Sequence, residues 1–233
     1  MFWFGYDPTF ILLLPAMAFA LWAQWKVKST FEQFSRVRAS NGLTGRDMAR
    51  QIMMRNGVSD VEVETIGGML SDHYDPRTRK VRLSSPNYAG DSISSIAVAA
   101  HEVGHVLQHQ QGYIPLQLRS GIAPVVGIAS TAAWPLFLIG LLIGPRMPYS
   151  GLLMDLGIVF FAGAVLFHLI TLPVEFDASK RALAELTSTG AVLPQEVAGA
   201  KKVLDAAALT YVAAAAVAAL QLVRLVVLRN SRR

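Results

Sequence analysis

A chain of 233 residues that is 53% hydrophobic and only 16% charged is too apolar for an ordinary water-soluble globule, so the excess belongs in lipid. The absence of cysteine excludes disulfide staples, zinc–thiolate sites and a cysteine nucleophile, leaving His, Asp and Glu as candidate metal ligands. The net charge of +5 does not argue for nucleic acid: no nucleic-acid-binding motif accompanies it, and basic residues flanking membrane spans produce the same sign.

In chain order, Pro8 to Trp25 is apolar apart from Thr9 and Gln24. At ~1.5 Å per residue it just crosses a hydrocarbon core of ~30 Å. Its basic flank follows the span, as for a retained anchor rather than a cleaved signal peptide. Residues 26–120 have ordinary soluble composition and suggest a small α+β unit. There, Thr44 can cap a helix from Gly45 to Arg55 that Asn56-Gly57 ends. Val61, Val63 and Thr65 alternate as an edge strand would. The run from Met69 to Tyr74, the turn-forming Asp75-Pro76 and the run from Val81 to Ser84 read as a β-hairpin. Ser92 to Gln111 then favours a helix.

Gly121 to Gly144 carries no charge and Gly151 to Val174 only Asp155 and His168, so these form a transmembrane hairpin turning near Pro145 and Pro148. Ala206 to Leu228 is a fourth span or, alternatively, an amphipathic or core helix. The expected organisation is a first transmembrane helix over residues 1–25, a cytoplasmic α+β segment with the motif helix over 26–120, and the hairpin over 121–174. A cytoplasmic helix over 175–205 and a fourth transmembrane or amphipathic helix with a basic tail over 206–233 complete it. Residues 26–120 hold twelve Lys and Arg, residues 174–205 hold four and residues 1–25 none. The hairpin returns the chain to the side it left, and the positive-inside rule makes that side the cytoplasm. A complete fourth span conflicts with the rule by placing Arg229, Arg232 and Arg233 outside.

The chemistry concentrates in the helix containing HEVGH at 101–105. His101 and His105, four residues apart, project side by side and can grip one Zn²⁺ ion. Glu102 projects beside them and can take a proton from a zinc-bound water and return it to a leaving amine. His109 continues the series, but ~12 Å of helix separates it from His101, so it is a wall or rim residue rather than a ligand. His73, on the hairpin, could bind substrate or an oxyanion, although a surface role suits it as well. A catalytic zinc takes a third protein ligand. Glu175 is the best placed, because the hairpin returns it to the compartment of the motif. Asp177 faces elsewhere and suits support behind the ligands.

The residues running from Leu70 through HEVGHVLQHQ, and LPVEFDASKRAL from Leu172 to Leu183, resemble the YugP-type membrane zinc metallopeptidases. That resemblance implies His101, His105 and Glu175 as ligands and Glu102 as catalytic base. The similarity to HtpX-type and CAAX prenyl proteases is looser; those place an Asp four residues after their Glu ligand, where this chain has Ser179. The expected fold is a mainly α membrane protein, with three to four transmembrane helices and a small α+β cytoplasmic segment leading into a zincin-like HExxH helix. The expected function is a membrane-embedded zinc metallopeptidase whose partners are peptide or membrane-protein substrates and the bilayer. A substrate peptide is expected to lie beside the Val81 to Ser84 strand. The alternative is a membrane scaffold or adaptor with a structural or inactive zinc site.

Overall fold

A computed structural model describes residues 8–68, 71–188, 190 and 192–231. The chain is a mainly α-helical membrane protein. After a 3₁₀ segment, Pro8–Leu13, come α1 (Leu14–Ser35), α2 (Gly45–Arg55), β1 (Glu62–Ile66), β2 (His73–Asp75), β3 (Lys80–Ser84), α3 (Ser85–Ala89) and α4 (Ile93–Gln110). Three long helices follow: α5 (Ile114–Ile143), α6 (Ser150–Ser188) and α7 (Pro194–Asn230). Among the described residues four helical stretches are long and apolar enough to cross a membrane: Pro8–Ser35, Ile114–Ile143, Ser150–Ser188 and Pro194–Asn230. The fourth apolar stretch thus meets the requirements of a span. At ~1.5 Å per residue, the 39 residues of α6 measure nearly twice a ~30 Å hydrocarbon core. Part of that helix must therefore stand outside the lipid.

The chain forms two compact units. One comprises Gln24–Gln117 and Pro173–Thr210. Within it α2 begins where Thr44 Oγ1 accepts from the Asp47 N–H at 3.2 Å, and ends at Asn56 before Gly57 (φ 69°). Its Met48, Ala49, Ile52 and Met53 join one core with Ile96, Ala99, Ala100 and Val103 of α4. The sheet has the order β1-β3-β2, with β1 parallel and β2 antiparallel to β3. Val81 and Leu83 turn one face of β3 into this core, and Lys80 and Arg82 pair with Glu64 on the other, both at 2.7 Å. The edge strand and the hairpin are as expected, although Met69 and Leu70 lie outside the described residues. β3, however, is central. Both its neighbours are strands over Lys80–Arg82, and Asp72 Oδ1 accepts the Ser84 N–H at 2.7 Å, so a substrate cannot add beside β3 as expected.

The other unit comprises the described residues of Met1–Ala23, Leu118–Leu172 and Tyr211–Arg233. In it α5 and α6 meet backbone to backbone at glycine. A Cβ on Gly157 would lie 2.8 Å from the Ala133 carbonyl oxygen, and one on Gly140 would lie 2.7 Å from that of Ser150. Such small-residue contacts let van der Waals packing hold helices together where lipid supplies no hydrophobic drive. Arg229 of α7 grips Asp155 of α6 with two hydrogen bonds, at 2.8 and 3.0 Å. Arg224 donates to Thr9 Oγ1 at 3.2 Å, so the first residues of the first apolar stretch meet the last turns of α7. Apolar side chains such as Val125, Ile128 and Val159 are 63–76% exposed, as lipid-facing positions would be.

Candidate metal centre

Ser92 starts α4 by accepting the Ser95 N–H at 3.1 Å, and the helix continues unbroken through HEVGH. His101 and His105 therefore stand one turn apart on one face, their ring centroids 4.8 Å apart. Gly104 lies between them in the chain for a steric reason. A Cβ there would fall 2.5 Å from the Ala178 carbonyl oxygen, so only glycine lets α6 pack this closely on α4. That approach brings Glu175 to the histidines. Its Oε2 lies 3.3 Å from His101 Nε2 and 3.6 Å from His105 Nε2.

Ligand atoms of His101, His105 and Glu175 all lie within 4.8 Å of one another. Bonds of ~2.0–2.2 Å in a tetrahedral zinc site put donor atoms roughly 3.3–3.6 Å apart, so the donor set matches zinc in chemistry and in the two Glu175 separations. Both Nδ1 atoms point away from Glu175. His101 Nδ1 lies 3.2 Å from Ser179 Oγ and His105 Nδ1 lies 3.0 Å from Gln108 Oε1, which leaves the Nε2 atoms facing the centre. Glu175 is 2% exposed and His105 9% exposed, so the centre is screened from bulk water.

Glu102 is buried. Burial raises its pKa above the usual carboxylate range; His101 and His105 oppose the rise, while Glu175 and Asp72 add to it. Burial by itself lowers the His105 pKa, but hydrogen bonding to Glu175 and the charge of Glu102 raise it overall.

Other expected residues are placed differently. His73 pairs in register with Arg82, on the sheet face turned away from the core of Val81 and Leu83. Its Nδ1 contacts the Ser71 carbonyl at 2.8 Å and its Nε2 lies 3.4 Å from Arg82. The sheet therefore turns it away from the α4 side, which argues against substrate or oxyanion binding. His109 is outside the three-residue group and is bound through Nδ1 to the Tyr74 hydroxyl at 2.8 Å. His168 stacks edge-on to Phe167 and is also outside the group. Asp177 accepts from Gln108 Nε2 at 2.9 Å and from Arg181, so its link to His105 runs through an amide that sequence reasoning missed. The available signal was spacing: Gln108 is three residues after His105, hence on its helix face. In sequence Ser179 stands only as a departure from an Asp, yet its hydroxyl reaches His101.

No solved structure matches the chain. A relative from Bacillus subtilis (strain 168), named "Putative membrane protease YugP", is 54% identical over 217 residues, covering 93% of this chain and 94% of the relative. The family model described as "Putative neutral zinc metallopeptidase" matches residues 9–230. A match of that extent, with a relative that similar over nearly its whole length, means that the chain belongs to this zinc metallopeptidase family.

Proposed function

We propose that this chain is a membrane metallopeptidase in which His101, His105 and Glu175 hold one Zn²⁺ ion and Glu102 is the general base for peptide-bond hydrolysis. The observation carrying this reading is the convergence of two imidazole Nε2 atoms and one carboxylate oxygen, with the buried Glu102 on the same helix. Zinc, when bound, polarises a carbonyl and lowers the pKa of a coordinated water to ~7. Glu102 takes the proton of the attacking water and passes it to the leaving amine. Burial raises its pKa, which makes it a stronger base toward that water. Glu175 lends the centre its negative charge, and the hydrogen bonds behind both imidazoles keep their Nε2 atoms forward.

The open sheet edge linked to α4 is that of β2: Tyr74 reaches His109, and Asp72 lies near enough to Glu102 to act on its charge. An extended peptide adds there, rather than beside β3, by backbone hydrogen bonds. The excess of Lys and Arg in residues 26–120 and 174–205 assigns the site to the cytoplasmic side.

Purified protein in detergent tests the reading. Glu102→Gln is expected to bind zinc like wild type while cleaving an unfolded model polypeptide ~10²–10⁴-fold more slowly, the usual range for losing general base catalysis. Undiminished cleavage by a zinc-loaded Glu102→Gln protein would sink it.

A further inference from the structure

The two imidazoles of the centre are held from behind by unlike groups. His101 Nδ1 meets the Ser179 hydroxyl, which can turn to donate or accept. His105 Nδ1 meets Gln108 Oε1 at 3.0 Å, and Gln108 is completely buried. Its amide cannot flip without loss. Nε2 donates to the Val174 carbonyl at 2.7 Å and to Asp177 Oδ2 at 2.9 Å, and both partners accept. With both amide hydrogens so committed, Oε1 faces His105 and can only accept, so the proton of a neutral imidazole belongs on Nδ1. Asp177 is itself fixed. Arg181 donates to it and to Gln111 Oε1, and its guanidinium lies 5.6 Å from the centre of the Tyr113 ring. Arginine only donates, so the direction of each bond from Arg181 to Asp177, Gln108 and His105 is set.

We propose that Gln108 is a positioning residue that accepts from the Nδ1–H of neutral His105 and so presents Nε2 toward Glu175, and that Asp177 acts on the ring through it. This rests on the reading of His105 as a zinc ligand. The amide acts as a polarity converter: a carboxylate that can only accept governs an imidazole that must donate, across a side chain able to do both. Removing support behind a metal-bound histidine commonly costs 10–100-fold in metal affinity.

The test uses the full chain in detergent with ¹⁵N-labelled histidine, the His105 signals being identified by their loss in His105→Ala. At a pH high enough for zinc-free His105 to be neutral, wild type is expected to show the Nδ1–H tautomer there. Gln108→Met, which fills similar volume without polar hydrogens, is expected to show the Nε2–H form or a mixture. A wild-type Nε2–H form, or an unchanged tautomer in the variant, overturns the proposal. Zinc affinity, read by competition with a coloured chelator, is expected to fall 10–100-fold in Gln108→Met and by a smaller factor in Asp177→Ala. The double variant should be no weaker than Gln108→Met alone, because Asp177 has no other route to the ring; additive losses overturn it.

If Gln108→Met does not fold, Gln108→Glu/Asp177→Asn carries the test. There the new carboxylate still accepts from His105 Nδ1 and the new amide donates to that carboxylate, at the cost of the bonds that the Val174 carbonyl and Arg181 make in wild type. The expected result is a retained Nδ1–H tautomer and zinc affinity within tenfold of wild type, and loss of the tautomer in this folded pair refutes the relay. Failure of wild type to take up zinc would defeat the peptidase reading, while the tautomer would still decide the role of Gln108.

Discussion

At the scale of single residues, the roles at the centre separate by what each removal leaves behind. Glu175→Ala leaves the two imidazoles without their carboxylate neighbour, and zinc uptake is expected to disappear. Ser179→Ala removes one hydroxyl from His101 Nδ1 and is expected to weaken zinc by no more than about tenfold, the low end for such support. Both can be read by chelator competition. Stripping zinc with a strong chelator is expected to lower the melting temperature of wild type, and adding it back to restore it, because a ligand that binds only the folded state stabilises it. The Glu175→Ala protein should show neither shift.

Asp75 carries a separate pH signature. The Thr78 hydroxyl first, then the Arg77 N–H and Arg82, depress its pKa to about 2. A depressed carboxylate contributes stability above its unfolded pKa of ~3.9, and that contribution is lost as pH falls through the folded value. Asp75→Asn is therefore expected to melt below wild type at neutral pH, with the gap closing between pH 4 and pH 2. The group is partly exposed, so water screens its interactions and the gap should be small.

At the scale of elements, the contact between α4 and α6 decides whether a site exists. Gly104→Ala would press a methyl into the Ala178 backbone, and neither helix can yield without moving Glu175 from the histidines. Overpacking of this kind costs about 1–3 kcal/mol. The variant is expected to melt lower and to bind zinc at least tenfold more weakly. Gly163→Ala in the same α6 meets nothing within 4 Å and serves as the control, with zinc affinity and melting temperature at or above wild type. HEVGH shows that glycine in the sequence, but the need for it becomes visible only once Ala178 is seen opposite. The sheet offers a similar lesson. Alternation and turn residues marked the strands, but not their order, because the parallel pairing of β1 with β3 joins segments that are not neighbours in sequence.

At the scale of the whole molecule, sidedness is the open prediction, and a chain without cysteine is well suited to test it. In intact cells a membrane-impermeant maleimide is expected to label Arg146→Cys, at the turn between α5 and α6. Lys202→Cys, near the start of α7 and exposed, is expected to react only after permeabilisation. The opposite pattern would place the candidate site outside. Arg229 bears on the same question, since the conflict of a basic tail with the positive-inside rule eases if its charge is neutralised. Its two bonds to Asp155 do that for one of the three tail arginines.

The sequence by itself determined the apolar spans, the motif helix with its two histidines on one face, and the hairpin, and it pointed to Glu175 as their candidate companion. These are local properties of period, composition and spacing, set within a turn or a span. The tertiary structure alone decided which groups stand behind the two imidazoles, that His73 turns from the core face, and that β3 is closed to a substrate strand. Those outcomes depend on pairings between segments as many as 78 residues apart, such as Gln108 with Asp177 and Ser179 with His101. No periodicity along the chain encodes them, because hydrogen bonds between side chains form wherever packing brings a donor to an acceptor, and packing is a property of the folded whole.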